Sequence, residues 1–86
     1  MISLDELIIK AKQKEIKYPI LRQGETFVDE RIFLYLYKEN STIPIKSKLY
    51  NNIETALIEC KSTLEKGFYF IQCKEAKEPW IIKFEI

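Results

Sequence analysis

The sequence of 86 residues has no histidine, two glycines (Gly24 and Gly67) and two cysteines (Cys60 and Cys73). Without imidazole, the chain lacks the one side chain whose ordinary pKa lies near neutrality, and no Ser-His-Asp or Cys-His pair can be assembled within it. Zinc centres built on imidazole are excluded, and two thiols cannot make a four-cysteine site within one chain. With the glycines so far apart, neither common phosphate-cradling loop, GxGxxG or GxxxxGK[ST], is present. Carboxylates or lysines remain as catalytic groups, but no local arrangement marks any of them, so the sequence predicts a chain that is not an enzyme and needs no cofactor or metal. A large excess of either charge is missing too. Fourteen Lys and Arg stand against 13 Asp and Glu, a net charge of +1, which is neither a basic nucleic-acid arm nor an acidic mimic of one. No apolar run approaches the roughly 20 residues that cross a bilayer. Met1-Ile2-Ser3-Leu4-Asp5-Glu6 carries no basic leader region or cleavage site. The expectation is a cytoplasmic protein with reduced thiols.

The composition is that of a folded domain. Apolar residues make up 47% and charged residues 31% of the chain, enough apolar surface to offset the entropy of ordering it. The length fits one domain, residues 1–86, and not two.

Two segments have helical periodicity. Ser3 and Glu6 are spaced as a capping box, Ile2 and Leu7 as a hydrophobic staple, and Leu4, Leu7, Ile8 and Ala11 recur on one face. This helix should end near Lys14 or Glu15, ahead of Tyr18-Pro19. The second should start near Asn51 or Asn52, with Asn51 and Glu54 spaced as cap and partner. Its apolar stripe is Ile53, Ala56, Leu57, Cys60 and Leu64, and Gly67 stands where a left-handed residue would terminate it.

Strands read from alternation. Tyr18–Arg22 and Thr26–Val28 flank a Gln23-Gly24-Glu25 turn and suggest a short hairpin, with Asp29-Glu30 as a corner or bulge. Arg31–Lys38 is the clearest strand, and it alternates two apolar sets. Ile32, Leu34 and Leu36 point one way, and Phe33, Tyr35 and Tyr37 the other. Glu39–Tyr50 reads as a long polar connection, in which Thr42–Ile45 could extend locally. Phe68–Lys74 and Trp80–Ile86 form a last hairpin, with Trp80, Ile82, Phe84 and Ile86 on one face. The predicted fold is α+β: a small two-layer sandwich with a mainly antiparallel sheet of four to five strands and two helices on one face, in the order α-β-β-(β)-α-β-β.

The candidate site follows from that layering. If the aliphatic row of the clearest strand faces the helices, Phe33, Tyr35 and Tyr37 line the open face. Aromatic rows of this kind anchor protein interfaces and also stack bases of single-stranded nucleic acid. They have an ordinary explanation as well, since tyrosine is a good strand former on a half-exposed sheet, and periodicity alone does not decide which row is outermost. Lys46 and Lys48 resemble cations of a contact loop. Lys10, Lys12 and Lys14 offer a patch that phosphates could use, though a solvated helix face is the more ordinary explanation of them. Cys60, on an apolar stripe without His or a fixed cation beside it, reads as a packing residue. The reading favoured by the sequence is a non-catalytic protein-binding module, an inhibitor, immunity-type or accessory protein, acting through the aromatic strand face. The alternatives are a nucleic-acid-binding domain using the same face with the N-terminal lysines, and a structural homodimer.

Overall fold

A computed structural model describes residues 1–13, 31–75 and 79–86. The expected hairpin of Tyr18–Arg22 and Thr26–Val28, its turn, the Asp29-Glu30 corner and Lys14 lie outside the described residues. So does the middle of the Lys74–Pro79 turn.

Helix α1 (Leu4–Lys12) begins where the capping box places it. The Glu6 amide donates to the Ser3 hydroxyl over 3.2 Å, satisfying one of the amides that a helix start leaves unpaired. It ends slightly before the expected Lys14 or Glu15: Gln13 is the C-cap, its amide donating to the Ile9 carbonyl. Helix α2 (Ile53–Thr63) is capped by Asn52, whose side-chain oxygen accepts from the Thr55 amide at 2.8 Å. The expected Asn51–Glu54 pair is one residue out of phase with this cap. Nor does Gly67 end the helix. Leu64 is the C-cap, in extended conformation, while Gly67 exchanges two backbone hydrogen bonds with Ile86 and extends the terminal hairpin.

Strands β1 (Ile32–Lys38), β2 (Lys46–Tyr50), β3 (Phe68–Cys73) and β4 (Trp80–Glu85) form an antiparallel sheet in the order β2-β1-β3-β4. The fold is therefore α+β, α-β-β-α-β-β, with the helices packed together and on the sheet. Its core joins Leu4, Leu7, Ile8 and Ala11 of α1 and Ile53, Ala56, Leu57 and Cys60 of α2 to Leu34, Leu36, Tyr69, Ile71, Trp80 and Phe84 of the sheet. The aliphatic row of β1 is thus the covered one. Strand β4 is tied to the chain start, where the Glu85 amide donates to the Ile2 carbonyl at 3.0 Å and Ser3 bridges Glu85 in parallel.

The polar connection expected over Glu39–Tyr50 is shorter than its composition suggests. Lys38–Ser41 closes a turn through the Ser41 amide and the Lys38 carbonyl. Asn40 there takes a positive φ of 66°, a conformation asparagine tolerates better than most residues. From Lys46 the chain is strand. Two lysines in five residues hid it, because their charge masks the alternation. In the folded chain both ammonium groups are held by Glu59 of α2, at 3.3 Å and 3.1 Å.

Candidate functional site on the helix-free face of the sheet

Register decides which side chains share a surface, since directly opposed residues project from the same face. Phe33 pairs with Leu49, Tyr35 with Ser47 and Gln72, and Tyr37 with Phe70. Phe68 pairs with Glu85, Phe70 with Lys83, and Gln72 with Ile81. All of these lie opposite the helices. Among the described residues no helix or strand covers them, and Leu49, Phe68 and Ile81 are exposed.

The face has two parts. On one, the Phe33 and Tyr35 rings lie 5.3 Å apart, tilted by 60°. The Tyr35 hydroxyl donates to Glu75 at 2.6 Å. The Lys74 ammonium stands 4.4 Å from the Tyr35 ring centre and 5.4 Å from that of Tyr37, within cation–π range. The bond to Glu75 is the largest cause, ahead of desolvation, that raises the Tyr35 pKa, so the hydroxyl keeps its proton. On the other part, Met1, Phe68, Phe70 and Ile81 line a groove of about 310 Å³ with Glu39 and Lys83 beside them.

Tyr37 separates the two parts, and here an expectation fails. It belongs to the helix-free face but is only 4% exposed, and it stands outside the helix-side core. Its ring lies flat on Phe70, centroids 4.7 Å apart and planes within 11°. Tyr37 is a packed residue that holds the face together, not a free ring.

Lys46 and Lys48 are also placed differently from expectation. They pair with Leu36 and Leu34, which puts them on the helix side, away from the aromatic row. There Glu59 of α2 gathers Lys46 at 3.3 Å, Lys48 at 3.1 Å and the Tyr50 hydroxyl. The hydrogen bond from Tyr50, followed by that from Lys48, holds the Glu59 carboxyl down at about 2. Burial and the same carboxylate push the Tyr50 hydroxyl well above the usual tyrosine range. The cluster is internally satisfied and fastens β2 to α2. Lys10 and Lys12 lie in the last turn of α1, on the helix layer, so they and the aromatic row do not form one surface.

Sequence reasoning left out Leu49, Phe68, Phe70, Ile81 and Lys74 as members of this face. A signal for the phenylalanines existed: Tyr69, Ile71 and Cys73 alternate with Phe68 and Phe70, so one set had to face away from the core. Glu59 had no such signal, because its three partners come from a separate element.

Comparison with family models, curated proteins and solved structures gives no match. No helix among the described residues is long and apolar enough to cross a membrane.

Proposed function

We propose that this chain is a non-catalytic protein-binding module whose contact surface is the helix-free face of the sheet. One observation carries the reading: exposed and half-exposed Leu49, Phe33, Tyr35, Phe68, Phe70 and Ile81 share that face, while both helices lie on the other. Tyrosine and phenylalanine contribute large contact areas with few rotatable bonds, as interface anchors do. The flanking Lys74, Glu75, Glu39 and Lys83 supply a polar margin of both signs, the arrangement of a protein interface rim. A nucleic-acid surface is less well supported. Lys74 occupies the Tyr35 ring on which a base would stack, and the α1 lysines are on the far layer.

The test is the paired change Tyr35→Ala and Phe68→Ala. Neither residue belongs to the fully buried set, so the far-ultraviolet spectrum and cooperative melt should be retained. Binding to a partner captured from the native host should fall by about 30-fold or more, the effect of losing a central aromatic anchor. Lys10→Glu with Lys12→Glu should leave it unchanged. A folded Tyr35/Phe68 variant that binds as tightly as the parent would refute the proposal. Loss in the lysine variant with a steep salt dependence would move the reading to nucleic acid.

A further inference from the structure

The groove at the Phe68 end of the helix-free face carries its charges in a fixed order. Phe68 and Phe70 of β3 form its floor, with Ile81 of β4 beside them, and the Tyr37 ring stacked on Phe70 keeps that floor in place. Its volume of about 310 Å³ is at the small end of the range for ligand sites, roughly 300–1,000 Å³, which suits one large side chain better than a cofactor. Glu39 stands on the β1 side, where its amide donates to the Phe68 carbonyl at 2.9 Å. Lys83 stands on the β4 side, opposite Phe70. Two strand spacings of about 4.8 Å and two residues of about 3.3 Å rise set their backbones about 12 Å apart. That is too far for the two to pair with each other. Among the described residues neither has an ion-pair partner, whereas Lys46 and Lys48 are held by Glu59 and Lys61 by Asp5.

We propose that this groove takes a segment of the protein partner in which one large apolar side chain stands between a lysine or arginine and an aspartate or glutamate. The inference rests on the reading of this face as a protein-binding surface and names the chemistry of what binds there. The apolar side chain covers Phe68, Phe70 and Ile81. Phe68 is 46% and Ile81 50% exposed, so both have apolar area to lose to it. The basic residue lies toward Glu39 and the acidic one toward Lys83, and each wall gains the counter-charge it lacks in the free chain. A segment with two charges of one sign sets like against like at one of the walls, which is costly at an interface. An occupant without charge, such as an acyl chain, would cover Glu39 and Lys83 without pairing them. Opposite signs on opposite walls also fix the direction in which the segment crosses β3.

A random peptide library displayed on phage and selected on the immobilised wild-type chain tests this. The recovered sequences should share a large apolar residue with a base on one side and an acid on the other. Selection on Glu39→Lys should return acids on both sides, and selection on Lys83→Glu bases on both sides. Both residues are exposed, so each variant should keep the parent's cooperative melt. A synthetic peptide of the wild-type consensus should bind the wild-type chain about tenfold more tightly than either variant at low ionic strength, with the advantage shrinking as salt is added. Recovered sequences without a charge pattern, a pattern that ignores the reversed residue, or no enrichment overturn the proposal. So does a groove filled by a second copy, seen as a wild-type dimer that Ile81→Asp dissociates. Capture of the native partner separates this inference from the one beneath it. If Tyr35→Ala with Phe68→Ala abolishes capture while Glu39→Lys and Lys83→Glu leave it unchanged, the face stands and this assignment of the groove fails. If the folded Tyr35, Phe68 variant still captures the partner, the reading of the face itself fails.

Discussion

Tyr35 and Tyr37 are two residues apart on one strand and one face, yet their environments differ. Tyr35 keeps a hydrogen bond to an exposed carboxylate and a lysine over its ring; Tyr37 is sealed against Phe70. Truncating them should therefore have unequal effects. Tyr37→Ala should cost about 3 kcal/mol, at the lower end of the range for buried aromatic rings, and Tyr35→Ala under about 1 kcal/mol, measured by urea titration of each variant. Equal losses would show that the stacked Tyr37–Phe70 pair contributes no more than the exposed ring. Cys60 supports a second contrast at this scale. It is buried, and desolvation pushes its thiol up to about 11. Near neutral pH almost none of it is thiolate, the reactive form. Alkylation should be slow in the native protein and rapid in urea. Fast native labelling would place Cys60 in an accessible, activated setting instead.

Strand β2 shows how a short element is held by a side chain from the element that follows it. Its exposed residues alone would make a poor strand, and Glu59, projecting from α2, supplies the missing attachment through Lys46, Lys48 and Tyr50. The carboxyl titrates at about 2 in the folded chain against 4.5 for the free group. A depressed carboxylate pKa means that the folded state favours the ionised form. Its contribution is complete above about 4.5 and is lost as the pH falls toward 2. Wild type should then lose its stability advantage over Glu59→Gln across that window, while the difference above it stays constant. Denaturant midpoints collected from neutral pH downward read this directly. A difference unchanged down to pH 2 would mean that the carboxylate charge is irrelevant to the attachment of β2.

For the molecule as a whole, the helix layer and the sheet meet around Leu57, Ile71 and Phe84, its largest fully buried side chains. Leu57 lies on the core side of α2, with sheet residues in the same cluster. Leu57→Ala should cost about 2–5 kcal/mol, the sum of lost transfer energy and the cavity left behind. Domains of this size are only marginally stable, at about 5–15 kcal/mol. A visible drop in the denaturant midpoint is expected, and a change under about 0.5 kcal/mol would show that the two layers collapse around the gap.

The amino-acid order by itself determined the two helices, their buried stripes, the N-cap at Ser3, strand β1 and the terminal hairpin. All of these rest on local periodicity of 3.6 or 2.0 residues and on caps within one turn. It did not reveal β2, where Lys46 and Lys48 occupy positions that an apolar pattern would use and are acceptable there only because Glu59 lies across from them. It left open which face of β1 is covered, because an alternating strand with apolar residues on both sides is unchanged when the faces are exchanged. Only the packing of Leu34 and Leu36 against the helices decided it. The burial of Tyr37 came from the same source. Its neighbour Phe70 is distant in sequence and adjacent only through the pairing of β1 with β3, and a contact of that kind exists only once the sheet has formed.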